Sequence, residues 1–215
     1  MAIFNMLLYT HIFCGGLSLA IGLFMLIAKK GTAMHKSIGT IYFFTMLIAS
    51  LVALPMSFIH PNYFLFVIGV FTSYMLLSGR NYIKKAIHPE VTRFDWALTF
   101  LMLLFGIAFI GLGALNLIQS NYFGTVLVVF GGISLLFIFQ DITNFRKKST
   151  LKNYWLTTHL QRMVGSYIAS VTAFLVVNNN FLPGVTAWLL PTAVMVPLIV
   201  VWSRNYGIKT LKARV

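Results

Sequence analysis

Acidic side chains are almost missing from this chain. Of its 215 residues only 3 are Asp or Glu, against 16 Lys or Arg, and charged residues of both signs make up 9%. A soluble domain carries about a quarter charged residues, so a water-soluble globule is excluded. The single cysteine, Cys14, excludes an internal disulfide and any CxxC metal or redox motif. The N-terminus has neither the basic start nor the small-residue cleavage site of a signal peptide, so its apolar run is expected to stay as a span. The net charge of +13 does not point to nucleic acid, because the cations sit in short clusters between apolar runs and form no continuous patch.

What is present is hydrophobic sequence, 59% of the chain. Crossing a bilayer takes about 20 apolar residues in a helix. Seven runs qualify: Phe4–Ala28, Ser37–Phe58, Tyr63–Tyr82, Trp96–Ile118, Gly124–Asn144, Trp155–Val177 and Val185–Tyr206. The expectation is an all-α membrane protein, a seven-transmembrane-helix bundle forming a single domain over 1–215. Lys29, Lys30 and Lys36 follow the first run, and Arg80, Lys84, Lys85 and Arg93 surround the third connection. Arg146, Lys147, Lys148 and Lys152 follow the fifth run, and Arg204, Lys209, Lys212 and Arg214 close the chain. The opposite connections carry no charge. Lys and Arg accumulate on the cytoplasmic side, so the N-terminus is outside and the C-terminus cytoplasmic.

Two stretches rhyme at an offset of 124 residues. Ser78-Gly79-Arg80-Asn81-Tyr82 matches Trp202-Ser203-Arg204-Asn205-Tyr206 in its Arg-Asn-Tyr end, and His35 matches His159. Gly15-Gly16-Leu17-Ser18-Leu19 matches Gly131-Gly132-Ile133-Ser134-Leu135 at offset 116. One reading is a 3+1+3 parallel internal repeat, 4–85 and 124–209, with 96–118 as linker helix and Arg80, Asn81, Arg204 and Asn205 in structural roles. The other is three hairpins plus a final helix.

The polar residues inside the spans are few, and such groups nearly always face protein or a water-filled cavity. In Tyr154–Ala173, His159, Arg162, Ser166 and Ser170 fall on one helical stripe beside Gly165, Ala169 and Ala173. Asp141, near the inner end of the fifth run, stands at a similar depth. An Asp141–Arg162 pair is expected either as a structural clamp or, with His159, as the lining of a cavity open to the cytoplasm. His35 is a partner for His159 if the repeat holds, and otherwise a headgroup-layer residue. Neutral imidazoles ligate a transition metal or haem iron. His11, nearer the outer face with Gly15, Ser18 and Gly22, reads either as a cross-helix hydrogen bond or as an outer-leaflet ligand.

The pattern His11-x3-Gly15, Gly22, His35-x3-Gly39-x2-Tyr42 and His159-x2-Arg162-x2-Gly165 resembles a group of bacterial inner-membrane proteins known only as a domain of unknown function. That resemblance implies the location and supplies no activity. The 3+1+3 plan also has an architectural likeness to the SWEET sugar transporters, although their proline tetrad and substrate asparagines do not map onto this chain. The seven-helix zinc hydrolases and adiponectin-receptor-like proteins use two histidines four apart, a spacing absent here. The readings carried forward are a metal or haem site for redox chemistry or metal handling, a small-solute transporter and a non-catalytic assembly factor. An enzyme on anionic lipid headgroups has no readable nucleophile–base pair to support it. The expected partners are the lipid bilayer, a small ligand and further copies of the chain.

Overall fold

In a computed structural model, which describes residues 2–147, 149, 153–180 and 184–212, the chain is a bundle of seven helices with no strand among the described residues. They are α1 (Ala2–Ile27), α2 (Ala33–Ile59), α3 (Tyr63–Lys84), α4 (Arg93–Ile118), α5 (Phe123–Phe145), α6 (Tyr154–Asn178) and α7 (Gly184–Lys212). Each is long and apolar enough to cross a membrane. Lys148, Lys152 and Arg214 of the basic clusters lie outside the described residues.

Local sequence explains where the helices begin. Gly31, at φ +82°, takes the left-handed conformation that L side chains resist, and turns the chain out of α1. Thr32 then caps α2 by accepting from the His35 amide at 3.1 Å. His35 consequently sits in the first turn of α2, ahead of the apolar run that starts at Ser37. Asn62 caps α3 in the same way. At α4 a reciprocal cap joins Thr92 and Asp95, so that helix starts at Arg93 and takes Asp95 into its first turn.

Packing separates the bundle into two unequal parts. α4 and α5 press backbone to backbone through glycines: a Cβ on Gly113 would lie 2.9 Å from the Gly124 carbonyl, and one on Gly131 would lie 2.9 Å from that of Gly106. Small residues permit such approach where the solvent is lipid. α3, the most enclosed helix, packs along α2 and α6 and more lightly on α4 and α5. α7 packs on α6, and α1 on α2. The main core joins Phe71, Tyr74 and Met75 of α3 to Met102 and Phe109 of α4 and Ile138 of α5. Outward-facing Phe13, Phe58, Leu136 and Phe139 are largely uncovered, a surface suited to acyl chains and not to water. The chain is an integral membrane protein.

Candidate functional site

Two gatherings of polar side chains lie on different sides of α6. The first is closed. The Asp141 carboxylate meets the Arg162 guanidinium at 2.9 Å, and both side chains are buried, at 1% and 0% exposure. Tyr74 Oη donates to Asp141 Oδ2 at 2.5 Å and Thr99 Oγ1 donates to the same oxygen at 3.1 Å, while Tyr82 Oη donates to Oδ1 at 2.9 Å. Asn144 donates to Tyr82 Oη at 3.2 Å and to Thr158 Oγ1 at 3.3 Å. Arg162 Nη2 also reaches the Phe137 carbonyl at 3.0 Å, and the guanidinium lies over the Phe137 ring, 3.8 Å from its centroid. Three helices, α3, α4 and α6, thus supply the buried carboxylate of α5 with four donors. Charge pairing and dense hydrogen bonding together offset the cost of desolvation.

The second place is open. A cavity of about 570 Å³ lies at the basic end between α1, α2, α3, α6 and α7, within the roughly 300–1,000 Å³ range of small-molecule sites. His35 and His159 both line it. So do the cations Lys30, Lys36, Arg80 and Lys84, and no Asp or Glu does. Its walls are otherwise apolar and aromatic, with Phe43, Leu160 and Trp202 among them. Tyr42 of its lining shares a 2.9 Å hydrogen bond with the buried Ser166, and the Tyr167 ring lies against Gly22. These two contacts tie α2 and α1 to α6.

The histidines differ in their partners. His159 Nδ1 lies 2.8 Å from the Gly79 carbonyl oxygen. A carbonyl only accepts, so Nδ1 carries the proton and Nε2 keeps its electron pair. His35 Nδ1 is buried without a hydrogen-bond partner. Lys30 closes the end of α1 by donating to the Met25, Leu26 and Ala28 carbonyls, and its ammonium lies 4.5 Å from the centre of the Trp202 ring. Burial holds Lys30 below the ordinary lysine value of 10.5.

The structure brings Asp141 to Arg162 and His35 to the cavity of His159, but it does not bring the two groups together. Helix geometry gives the reason. Three residues rotate a helix about 60° short of a full turn. His159 stands at the boundary, Leu156, Met163 and Tyr167 continue round into the cavity, and Arg162 falls on the other side, toward α3 and α5. His11 lies in neither group; its Nδ1 donates to the Ala49 carbonyl of α2 at 2.9 Å. Arg80 lines the cavity with its guanidinium 4.5 Å from the Phe43 ring centre, and Asn81 donates to Asp95 Oδ1 at 2.5 Å. Arg204 and Asn205 are exposed. Sequence reasoning missed Tyr74, Tyr82 and Thr99 around Asp141, and Lys85, which pairs with buried Asp95 at 2.7 Å. A polar residue among apolar ones was the signal at Thr99; the two tyrosines carry none that separates them from interfacial rings.

Residues 8–90 match a family described as predicted membrane protein (DUF2306). The match takes in His11, His35 and Arg80 and ends ahead of Asp141, His159 and Arg162. It agrees with the resemblance carried by His11, Gly15, Gly22, His35, Gly39 and Tyr42, all of which fall inside it. No curated protein and no solved structure matches the chain.

Proposed function

We propose that the chain is a haem-binding protein of the bacterial inner membrane, with its site in the basic-end cavity, on the cytoplasmic side, and a role in redox chemistry or haem handling. The observation that carries this reading is two imidazoles on one apolar cavity whose charged lining residues are all cations. Among the described residues no three His, Cys, Asp or Glu side chains gather as a metal site. A bare transition metal would therefore find too few protein donors, whereas a porphyrin brings its own nitrogen donors and would need only one or two from the protein. His159, with Nε2 free to donate its electron pair, and His35 would supply them. Lys30, Lys36, Arg80 and Lys84 would hold the carboxylate groups on the ring edge, and Phe43, Trp202 and Leu160 would exclude water from its faces. When bound, haem supplies one-electron chemistry at iron. The residues would set the orientation of the ring and the polarity around it.

The test is an absorption spectrum with metal analysis on gently solubilised protein, before and after adding haemin. A Soret band that His159→Ala removes and His35→Ala alters is the expected result. Protein with neither a band nor stoichiometric iron, and no uptake of added haemin, would remove the reading.

A second reading, a small-solute transporter, draws on the Tyr42–Ser166 contact. These residues are separated by the 124-residue offset that also relates His35 to His159, as a pseudo-twofold axis between two three-helix repeats would require. Pro191 and Pro197 inside α7 would then permit the bending that opens the outer side. Solute uptake into proteoliposomes that cross-linking of positions 42 and 166 blocks would favour it over the first.

A further inference from the structure

We infer that Gly79 is a positioning residue, whose backbone presents His159 to the cavity with Nε2 as the ligand-facing atom. The inference rests on reading the cavity as a ligand site. Two features of Gly79 act together. Its carbonyl accepts the His159 Nδ1 proton at 2.8 Å, which fixes both the tautomer and the plane of the ring. Its missing side chain lets α6 come close enough for that bond to form. A Cβ at this position would lie 2.8 Å from Arg162 Cβ and 2.9 Å from Met163 Cε.

The methionine end can swing away, but the Arg162 stem cannot. Its guanidinium is tied to Asp141 and to the Phe137 carbonyl, and it is flanked by the Tyr74 and Phe137 rings. Any side chain at 79 therefore pushes α6 as a unit, and His159, three residues before Arg162, moves off the carbonyl. The closed cluster on one side of α6 thereby holds the imidazole on the other. At the 124-residue offset the counterpart of Gly79 is Ser203, so α7 does not repeat this arrangement.

The experiment is nitrogen NMR on protein with ¹⁵N-labelled histidine in nanodiscs, without ligand, with His159 assigned by the signal that His159→Gln removes. Wild type should show the proton on Nδ1, and Gly79→Ala should show a mixture of tautomers. Haemin titrated into both should bind the variant about 10–100-fold more weakly, the usual effect of losing an outer partner of a ligating histidine. A proton on Nε2 in wild type overturns the inference, and that spectrum decides even if Gly79→Ala does not fold. So does a folded variant with unchanged tautomer. An Nδ1 proton in wild type that is lost in the variant, with no haemin bound by either, supports the positioning role and removes the haem reading alone.

Discussion

One helix, α6, carries two polar sites that differ in every respect that bears on function. Toward α3, α4 and α5, each oxygen of Asp141 is engaged, and the side chain that balances its charge is wholly buried. Toward α1, α2 and α7, two imidazoles and four cations face a cavity with no protein acid on its lining. The charges of the first arrangement are balanced within the protein, although Arg162 Nε and Nη1 lack hydrogen-bond partners, and those of the second are not. A buried carboxylate whose two oxygens are both engaged by protein donors has no free oxygen to offer a ligand. Unbalanced cations around an apolar hollow are complemented only by something that brings negative charge.

The most damaging way to break this contrast is at the carboxylate. Asp141→Asn keeps the shape but leaves the Arg162 guanidinium buried and unbalanced. Removing one partner of a buried pair costs about 3–5 kcal/mol, so unfolding in detergent should shift by that order. A change under about 1 kcal/mol would show that the pair is not a clamp. Tyr74→Phe should cost less, about 1–3 kcal/mol, because it deletes one donor to an oxygen that Thr99 still serves. The cavity side should respond in the opposite way. His159→Ala should leave stability within about 1 kcal/mol of wild type, since the Gly79 carbonyl keeps its place in the α3 helix, while haemin uptake is lost. If His159→Ala destabilises as strongly as Asp141→Asn, the two sites do not differ in kind.

How much of this was readable beforehand follows from the range over which each signal acts. The spans were legible because bilayer thickness sets a length that composition reveals directly, and their ends shifted by only a few residues wherever a cap extended the helix, as Thr32 does before α2. Asp141 and Arg162 were legible as partners because acids are so scarce: the spans held one carboxylate, and Arg162 stood at a similar depth on the following run. The pairing of His35 with the cavity of His159 came from an offset shared by two helix starts. Tyr74, Tyr82 and Thr99 were not legible. Which apolar-flanked hydroxyl turns toward a carboxylate depends on how α3 and α4 are rotated about their axes, and tertiary packing sets that rotation. The separation of His159 from Arg162 was missed for a related reason. A 60° difference on a helical wheel looks like one stripe until the neighbouring helices divide it.

The smallest expected effect sharpens the contrast at the cavity mouth. Lys30 lies outside the spans, half-buried among the carbonyls that end α1 and beside the Trp202 ring. Burial lowers its pKa from 10.5, so between the lowered value and 10.5 the unfolded chain binds more protons than the folded one. Stability then rises with pH across that interval, and the penalty of holding the ammonium is fully present below it. Lys30→Met removes this component, so unfolding of the variant should show a flatter rise than wild type between neutral pH and about 10.5. The same group should report on the ligand. An anion bound in the cavity favours the charged ammonium, which raises the lysine back toward its ordinary value and reduces the slope in wild type while leaving the variant unchanged. Equal slopes for wild type and Lys30→Met without ligand would show that the ammonium is hydrated at this position, and would leave His159 and Arg80 as the cavity groups to test for contact with an anion.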